Sequence, residues 1–240
     1  MVRHGKKFIE AEKKVEAGRL YSPDEGLALV KEVAFAGFDE TVEAHFRLGI
    51  DPRQADQNVR TTAVLPHGTG KVVRVLVFAS GEAERIALEA GADYAGSEEL
   101  VTRIQDGWLE FDATIAMADQ MGRVGGLGRI LGRRGLMPNP RSGTVVRSAD
   151  DLPGVIRELK GGRIEFRNDR TGILHMPIGR KSFTDEQLRD NLYAVVDAVN
   201  RAKPASTKGI FCRTLTVATT MSPGVALDVN VAFANATNAS

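Results

Sequence analysis

The sequence predicts an α/β protein of two domains: a discontinuous α+β sandwich domain with an inserted Rossmann-like parallel α/β domain. Three observations predict this architecture. Strand and helix patterns alternate in the middle of the chain, strands with one polar face flank that region, and glycine-rich junctions lie near residues 67 and 160. We therefore expect residues 1–67 and 160–240 to form one domain, with residues 68–159 inserted into it.

The first part of the chain predicts a helix followed by two strands. Ser22-Pro23-Asp24-Glu25 indicates a helix start, because Ser22 can cap, proline suits the first turn and Glu25 completes a capping box. Apolar residues at helical spacing extend this helix to about residue 35. From Thr41 to Ile50 apolar and polar residues alternate, which predicts a strand with one polar face. A second strand is predicted from about Val59 to Leu65.

The middle part predicts a small parallel sheet. Val72 to Ala79 is almost continuously apolar, as in strands that are buried on both faces. The elements expected after it are a helix at 82–89, a strand at 93–95, a helix after Ser97, a strand at 113–117 and a helix at 152–159. This alternation is typical of parallel α/β domains.

The last part predicts a hairpin, a helix and further strands. The expected elements are a strand at 163–167, a turn at 168–172, a partner strand at 173–178, a strand around 215–217 and another strand within 225–233. Thr184 with Gln187 indicates a capped helix, which should end before Pro204. The tail ANATNAS is expected to lack regular structure.

Composition excludes several classes of protein. About 42% of the residues are hydrophobic and 26% are charged, as in ordinary globular proteins. No run of 18 apolar residues predicts a membrane span, and the start MVRHGKKFIEAEKK lacks the apolar stretch of a secretory signal. The single Cys212 cannot form an internal disulfide. We therefore expect a cytoplasmic protein with no membrane partner.

Positive charge is concentrated locally. The formal net charge is only +1, yet residues 160–240 carry 11 basic and 7 acidic residues, a net charge of +4. Residues 123–147 contain six arginines and no Asp or Glu. Because phosphate binding depends on the local field, both regions are candidates for contact with nucleic acid.

The segment 121–144, MGRVGGLGRILGRRGLMPNPRSGT, contains seven glycines and five arginines. Glycines permit close approach of backbone N–H groups to phosphate, and arginines pair with phosphate bidentately. The segment lacks both GxxxxGK[ST] and GxGxxG, and Gly68-Thr69-Gly70-Lys71 is followed by Val72 where a phosphate loop needs Ser or Thr. Two interpretations remain open: a nucleotide or RNA phosphate site, and a structural glycine loop with solvated arginines.

Three shorter stretches are also ambiguous. GRIEFRNDRTG (162–172) places arginines around a turn, which suits either a sugar–phosphate contact or an ordinary charged hairpin. Asp39, Glu40 and Glu43 are either a carboxylate site or acids that cap the strand entry. TVATTMSPG (216–224) suits either a surface that contacts RNA sugars or a polar strand end. The four histidines show no catalytic or zinc spacing, so we expect no catalytic residue, metal or cofactor.

Several of these stretches resemble the bacterial ribosomal protein L-one family, the stalk proteins of the large subunit. The matching stretches span roughly residues 3 to 225 in order: Phe38–Glu43, His45–Arg53, Asp56–Lys71, Gly91–Tyr94, Gly128–Pro140, Gly162–Asp169 and Thr219–Met221. The resemblance implies a structural, non-enzymatic protein that binds a large-subunit rRNA stalk. It also implies assistance in release of deacylated tRNA from the exit site, contact with other ribosomal components, and repression of translation of the chain's own operon mRNA. The alternative is a nucleotide-binding enzyme built on the inserted domain.

The resemblance also implies RNA-binding residues. By motif these are Phe38, Thr41, Glu43, Arg167, Asn168, Asp169, Arg170, Ser206, Lys208, Thr214, Thr219, Thr220 and Met221. The arginines and Lys208 are expected to pair with phosphates, the Thr, Ser and Met side chains to lie against sugars, and Glu43 and Asp169 to accept from 2′-OH or base amino groups. Two positions depart from the family pattern. Ser222 replaces Gly, which would crowd an RNA backbone, and Arg133 replaces Pro, which adds a charge and loosens the loop.

Overall fold

The computed structural model describes residues 4–239 of the chain. It contains two compact units. Unit 1 comprises residues up to Gly70 together with residues from Ile164 onward, and unit 2 comprises Lys71–Arg163. The α/β class with one antiparallel and one parallel four-stranded sheet is confirmed. That each unit is an independently folding domain stays a prediction.

Ten strands and nine α-helices are present among the described residues. The strands are β1 (Thr41–Leu48), β2 (Arg60–Val64), β3 (Val75–Phe78), β4 (Tyr94–Gly96), β5 (Ala113–Met117), β6 (Val145–Val146), β7 (Arg163–Arg167), β8 (Ile173–Arg180), β9 (Cys212–Thr219) and β10 (Val225–Leu227). The helices are α1 (Lys6–Glu12), α2 (Pro23–Val33), α3 (Glu82–Glu89), α4 (Glu98–Gln105), α5 (Met121–Val124), α6 (Gly128–Leu131), α7 (Leu152–Lys160), α8 (Asp185–Arg201) and α9 (Val229–Ala239). None of these helices combines the length and the hydropathy needed to span a bilayer.

Unit 1 is built on an antiparallel sheet with strand order β10-β9-β1-β8. Alternate residues of its strands, such as Val42 and Phe46 of β1, are fully buried. They pack in one core with apolar side chains of α2, α8 and α9, so the helices cover one face of the sheet. The intervening residues of β1, β8 and β9 lie on the opposite face, which we call the open sheet face.

The helix ends follow the capping chemistry of the sequence. In α2 the Ser22 hydroxyl accepts from the backbone N–H of Glu25, whose carboxylate accepts from the N–H of Ser22. In α8 Thr184 and Gln187 form the same reciprocal pair. Both predicted capping boxes are confirmed. Since each box satisfies otherwise unpaired donors, it fixes where the helix begins.

The predicted hairpin of 163–167 with 173–178 is wrong. β7 pairs with β2 in a separate two-stranded sheet, whereas β8 pairs with β1. The 168–172 turn exists, but it carries the chain from one sheet to the other. The turn sequence fixes a change of direction and does not select the partner of either strand.

Two expectations for the chain ends are also corrected. Helix α1 is not among the predicted elements, and the strand expected within 225–233 is only the three-residue β10, which helix α9 follows. The ANATNAS tail continues α9 as far as residue 239. Ala232 and Ala236 are buried against the unit 1 core, and the Asn235 amide donates to the Tyr193 hydroxyl at 3.2 Å. Small side chains packed on a neighbouring helix therefore stabilise α9, although the composition of this segment is typical of a loop.

Unit 2 contains a parallel sheet with strand order β4-β3-β5-β6. One apolar core on one side of the sheet includes Val75, Val77 and residues of α7, and a second on the other side includes Leu76, Phe78 and residues of α4. β3 is therefore buried on both faces, which explains its continuous apolar run.

The Gly/Arg-rich segment is more helical than a glycine loop. It contains α5, α6 and short 3₁₀ turns between them. Val124, Leu127 and Leu131 recur at helical spacing and are fully buried in unit 2. Apolar residues three and four apart therefore determine this structure despite the low helix propensity of glycine, and the arginines remain on the outer surface.

Candidate nucleic-acid interface

The open sheet face presents rows of polar side chains. Strand pairing aligns His45 of β1 with Thr216 of β9 and His175 of β8. The neighbouring rows are Thr214, Arg47 and Ile173 on one side, and Ala218, Glu43 and Pro177 on the other. Residues two apart along a strand lie on one face of a sheet, so these rows form a continuous surface.

The start of β1 joins two of the predicted stretches. We define the β1-start cluster as Phe38, Thr41, Glu43, Thr219, Thr220 and Met221. The backbone N–H of Thr41 donates to the Thr220 hydroxyl at 3.2 Å. Phe38 and Met221 are about half exposed, at 56% and 50%. Residues far apart in sequence thus bring exposed hydroxyl, thioether and aromatic groups to the same end of the sheet.

Glu40, which is not among the predicted RNA-binding residues, positions this cluster. Its side chain is fully buried, and its two carboxylate oxygens accept from the backbone N–H groups of Ala36 at 2.8 Å and Met221 at 2.9 Å. Burial raises the pKa of Glu40, but the two backbone donors, the Thr219 side chain and the Lys181 charge outweigh it, and the pKa is lowered overall. Glu40 is therefore a carboxylate that ties the segment before β1 to the turn after β9.

Two residues of the 219–222 turn do not face outward as expected. Thr219 is only 4% exposed and pairs with the buried Val42, so its side chain lies on the core side of the sheet. The Ser222 hydroxyl accepts from the backbone N–H of Thr219 at 2.9 Å and donates to the carbonyl of Pro223. The side chain that replaces glycine at position 222 thus closes its own turn. The expected crowding of an RNA backbone does not follow from its position.

The remaining predicted residues lie near the other end of β1. We define the β1-end cluster as Arg167, Asn168, Asp169, Arg170, Ser206, Lys208 and Thr214. Two backbone bonds at this end hold its segments: Leu48 N–H donates to Gly172 O at 2.9 Å, and Gly49 N–H donates to Phe211 O at 2.6 Å. The 168–172 turn and the loop before β9 are thereby both attached to the end of β1.

Asn168 and Asp169 shape their turn from within. The side-chain oxygen Oδ1 of Asn168 accepts from the backbone N–H of Val59 at 2.7 Å. The Asp169 carboxylate accepts from the backbone N–H groups of Ile173 and Thr171, each at 2.8 Å. The Ile173 N–H is the main reason that the pKa of Asp169 falls to about 2. Both side chains are thus partly engaged in the fold, which limits what they can offer to a ligand.

Arg167, Arg170 and Lys208 supply positive charge at this end of β1. All three are exposed, and no described carboxylate forms an ion pair with them. Cations without an internal partner are available to phosphates. β1 has eight residues, so the two ends of the strand, near which the clusters lie, are roughly 24 Å apart at about 3.4 Å per residue. The face can therefore contact several consecutive nucleotides.

Catalytic chemistry finds no support in unit 1. Asp39 accepts from the backbone and hydroxyl of Ser182, Glu40 is bonded to backbone, and Glu43 lies on the open sheet face, so the three acids do not converge. The part of the chain described contains no cluster of three or more His, Cys, Asp or Glu suited to a metal ion. Burial raises the pKa of the Cys212 thiol to about 12, so this thiol is not a nucleophile near neutral pH.

Unit 2 presents a second cationic surface. Arg123 is held by the Ser97 hydroxyl and Glu98, whereas Arg129, Arg133, Arg134 and Arg141 are exposed with no described carboxylate at ion-pair distance. A Cβ added to most glycines of this segment would meet no described atom within 4 Å, so internal packing does not require them. These glycines are Gly122, Gly125, Gly126, Gly128, Gly132 and Gly135. A smooth surface with free arginines suits close approach by a polyanion.

Comparison with known proteins gives consistent matches. Residues 30–223 match the model of the Ribosomal protein L1p/L10e family. A relative from Thermomicrobium roseum, named Large ribosomal subunit protein uL1, is 66% identical over 95% of this chain and 95% of its own length. Relatives with the same name from Chloroflexus aurantiacus and Thermus thermophilus are 61% and 53% identical, each over 95% of this chain, and over 96% and 99% of their own lengths.

Proposed function

The chain belongs to the Ribosomal protein L1p/L10e family, and from this premise we propose that it binds a stalk stem of large-subunit rRNA through the open sheet face of unit 1. Family membership makes it a structural protein of the large ribosomal subunit and not an enzyme. The proposal concerns which surface binds which RNA.

One observation carries the proposal: the two clusters lie toward opposite ends of a single sheet face, and the helices of the unit 1 core, α2, α8 and α9, pack on the other face. The predicted RNA-binding residues come from four separate stretches of the chain, and strand pairing gathers their side chains, apart from that of Thr219, at these two ends. RNA is commonly bound on sheet surfaces through sugars, stacked bases and phosphates. A surface with hydroxyl and aromatic groups at one end and cations at the other fits this mode.

The clusters have different roles in the proposal. At the β1-end cluster Arg167, Arg170 and Lys208 pair with phosphates, which positions the RNA. At the β1-start cluster Thr41 and Thr220 contact ribose 2′-OH groups, and Phe38 provides a ring for stacking. Thr219 acts only as a positioning residue, because its side chain is buried.

The proposal is tested by measuring affinity for a stalk rRNA fragment and for a scrambled stem of equal length. Wild-type protein should prefer the stalk fragment. Arg167→Ala and Thr220→Val should each weaken this binding by about 1–3 kcal/mol, as loss of a phosphate or sugar contact usually does. Arg189→Ala is the matched control, since this partly exposed arginine lies on α8, which packs on the opposite face of the sheet. Equal affinity of the wild type for both RNAs would refute the proposed surface.

We also propose that the protein assists release of deacylated tRNA from the exit site. The cationic glycine-rich surface of unit 2 supports this role, since it is a second place where an RNA backbone can approach. Ribosomes lacking the protein should release exit-site tRNA more slowly after reconstitution with Arg129→Ala/Arg134→Ala protein than with wild type. An unchanged release rate would argue against this role.

Repression of the chain's own operon mRNA is proposed through the same open sheet face. A surface that binds a folded rRNA stem would also bind a leader mRNA that contains a similar stem, so the rRNA and the mRNA should compete. Leader mRNA and stalk rRNA fragment should displace one another from wild-type protein, and Arg167→Ala should weaken both complexes. Simultaneous binding of both RNAs would contradict a shared site.

A further inference from the structure

Four titratable side chains form a line across the middle of the open sheet face. The Nδ1 atoms of His45 and His175 are 2.9 Å apart, and the ring centroids are 5.1 Å apart. His45 Nε2 lies 3.9 Å from a carboxylate oxygen of Glu43, and His175 Nε2 lies 3.7 Å from one of Asp169. Each imidazole therefore faces the other on one side and a carboxylate on the other. The line joins the β1-start cluster to the β1-end cluster.

Charges from every neighbouring element affect this pair. On β1 the flanking residues of the same face are Glu43 and Arg47. On β9 the residue opposite His45 is the uncharged Thr216. Next to His175 on β8 are the uncharged Ile173 and Pro177, and the turn before β8 contributes Asp169. Two carboxylates and one guanidinium thus surround two imidazoles.

The geometry permits the pair to hold one extra proton easily. At 2.9 Å one Nδ1 donates and the other accepts, so both rings cannot carry a proton at Nδ1 while the contact lasts. The first added proton binds at an outer Nε2, toward a carboxylate, and leaves the Nδ1 contact intact. Burial lowers the pKa of His45 and the neighbouring His175 lowers it further, against the opposing effect of Glu43. In the free protein His45 is therefore neutral at neutral pH.

We propose that the His45–His175 pair takes up one proton when RNA docks on the open sheet face and so becomes a cationic contact at its centre. The inference rests on the RNA binding proposed above. An RNA that touches both clusters passes over this row, and its phosphates stabilise an imidazolium there. His175 contacts the RNA phosphate, since its side chain is 52% exposed. The side chain of His45 is 28% exposed, and it shares the added proton with His175.

Proton uptake makes RNA affinity depend on pH. The bound state holds the proton more tightly than the free state, so affinity rises as pH falls through the pKa of the bound pair and levels off below that of the free pair. If RNA raises this pKa by one unit, affinity for the stalk fragment should increase by nearly tenfold between about pH 8 and about pH 5. The slope of log affinity against pH should not exceed about one in magnitude.

The experiment measures affinity of the full chain for the stalk rRNA fragment across this pH range at fixed salt. It compares wild type with His45→Gln, His175→Gln and the matched control His67→Gln. His67 is another partly exposed histidine of unit 1, paired with Asp190 at 3.0 Å. We expect a pH-dependent affinity for wild type and His67→Gln, and a flat profile for both variants of the pair. Circular dichroism of each variant confirms that it is folded.

The outcomes separate this inference from the proposed function. If wild type binds the stalk fragment specifically but with an affinity that does not depend on pH, the pair does not take up a proton. The same conclusion follows if the pH dependence persists in the histidine variants. Neither result contradicts the proposed RNA-binding surface. Failure to prefer the stalk fragment at any pH overturns the proposed function itself. Calorimetry in two buffers of different ionisation enthalpy independently measures the number of protons taken up on binding. The proposal requires net proton uptake by wild type and less uptake by His175→Gln.

Discussion

At the scale of single residues, buried polar groups determine the shape of the β1-start cluster. Glu40 is the main case, because its carboxylate accepts two backbone N–H groups from segments on either side of the cluster. The alternation of the strand predicts that the Glu40 side chain is buried, because residue 40 lies on the same face as the buried Val42, Ala44 and Phe46. That same period places Thr219 with Leu215 and Val217 on the core face. Motif resemblance alone identifies the stretch but not the direction of each side chain.

Replacing Glu40 with Gln should destabilise unit 1 and weaken RNA binding together. One carboxylate oxygen becomes an NH₂ group that faces a backbone donor, so a buried N–H loses its acceptor, at a cost of about 1–3 kcal/mol. Urea denaturation measures the change in the free energy of unfolding, and Glu10→Gln, an exposed acid on α1, is the control. Equal stability of Glu40→Gln and wild type would show that these bonds contribute little.

The lowered pKa of Glu40 also predicts how the stability of the protein depends on pH. The pKa of Glu40 is lowered in the folded protein, so its stabilising contribution is fully present above the ordinary value of 4.5. It is lost as pH falls through the lower folded pKa. The stability difference between wild type and Glu40→Gln should therefore be constant near neutral pH and shrink in acid. A difference that grows in acid would have the wrong sign for this explanation.

At the scale of elements, local chemistry predicted most helices and strands, while their partners required the fold. The Ser22 and Thr184 capping boxes determine where α2 and α8 begin, and the alternation from Thr41 determines β1. The pairing of β8 with β1 instead of β7 depends on long-range contacts that no local pattern encodes. His45 and His175, 130 residues apart, become neighbours only through that pairing, so the proposed proton site could not be read from the sequence.

Helix α8 is attached to its surroundings by a fully buried amide. Asn191 accepts from the backbone N–H of His67 at 3.0 Å and donates to the carbonyls of Gly68 at 2.9 Å and Ile178 at 2.8 Å. Asn191→Leu keeps a similar volume but leaves three backbone groups unpaired, and should lower the free energy of unfolding by on the order of 3 kcal/mol. Thermal unfolding checks this, with Asn200→Leu at the exposed end of α8 as the control. A loss no larger than that of the control would mean that other groups satisfy these backbone atoms.

At the scale of the whole molecule, the apolar cores respect the two units. The unit 1 core draws on residues on both sides of the insertion, and the two unit 2 cores draw only on residues between Lys71 and Arg163. Replacing Lys71–Arg163 with a short Gly/Ser linker should therefore leave a protein that unfolds cooperatively. Its affinity for the stalk fragment should stay within about tenfold of the full chain, a difference of less than about 1.4 kcal/mol. An unfolded product would contradict the prediction that unit 1 is an independent domain.

The overall charge of the chain makes salt dependence informative about the proposed contacts. The net charge is only +1, so attraction to RNA depends on local clusters of cations, and those of the β1-end cluster should dominate the salt effect of binding at the open sheet face. Three phosphate contacts, from Arg167, Arg170 and Lys208, predict a slope of log affinity against log salt of about −2.7, or roughly a 40-fold loss between about 50 and 200 mM. Arg167→Ala should reduce the magnitude of this slope by about 1. Thr220→Val should weaken binding equally at all salt concentrations, because a sugar contact releases no counterion. Should Thr220→Val change the slope and Arg167→Ala leave it unaltered, the roles assigned to the two ends of β1 would have to be exchanged.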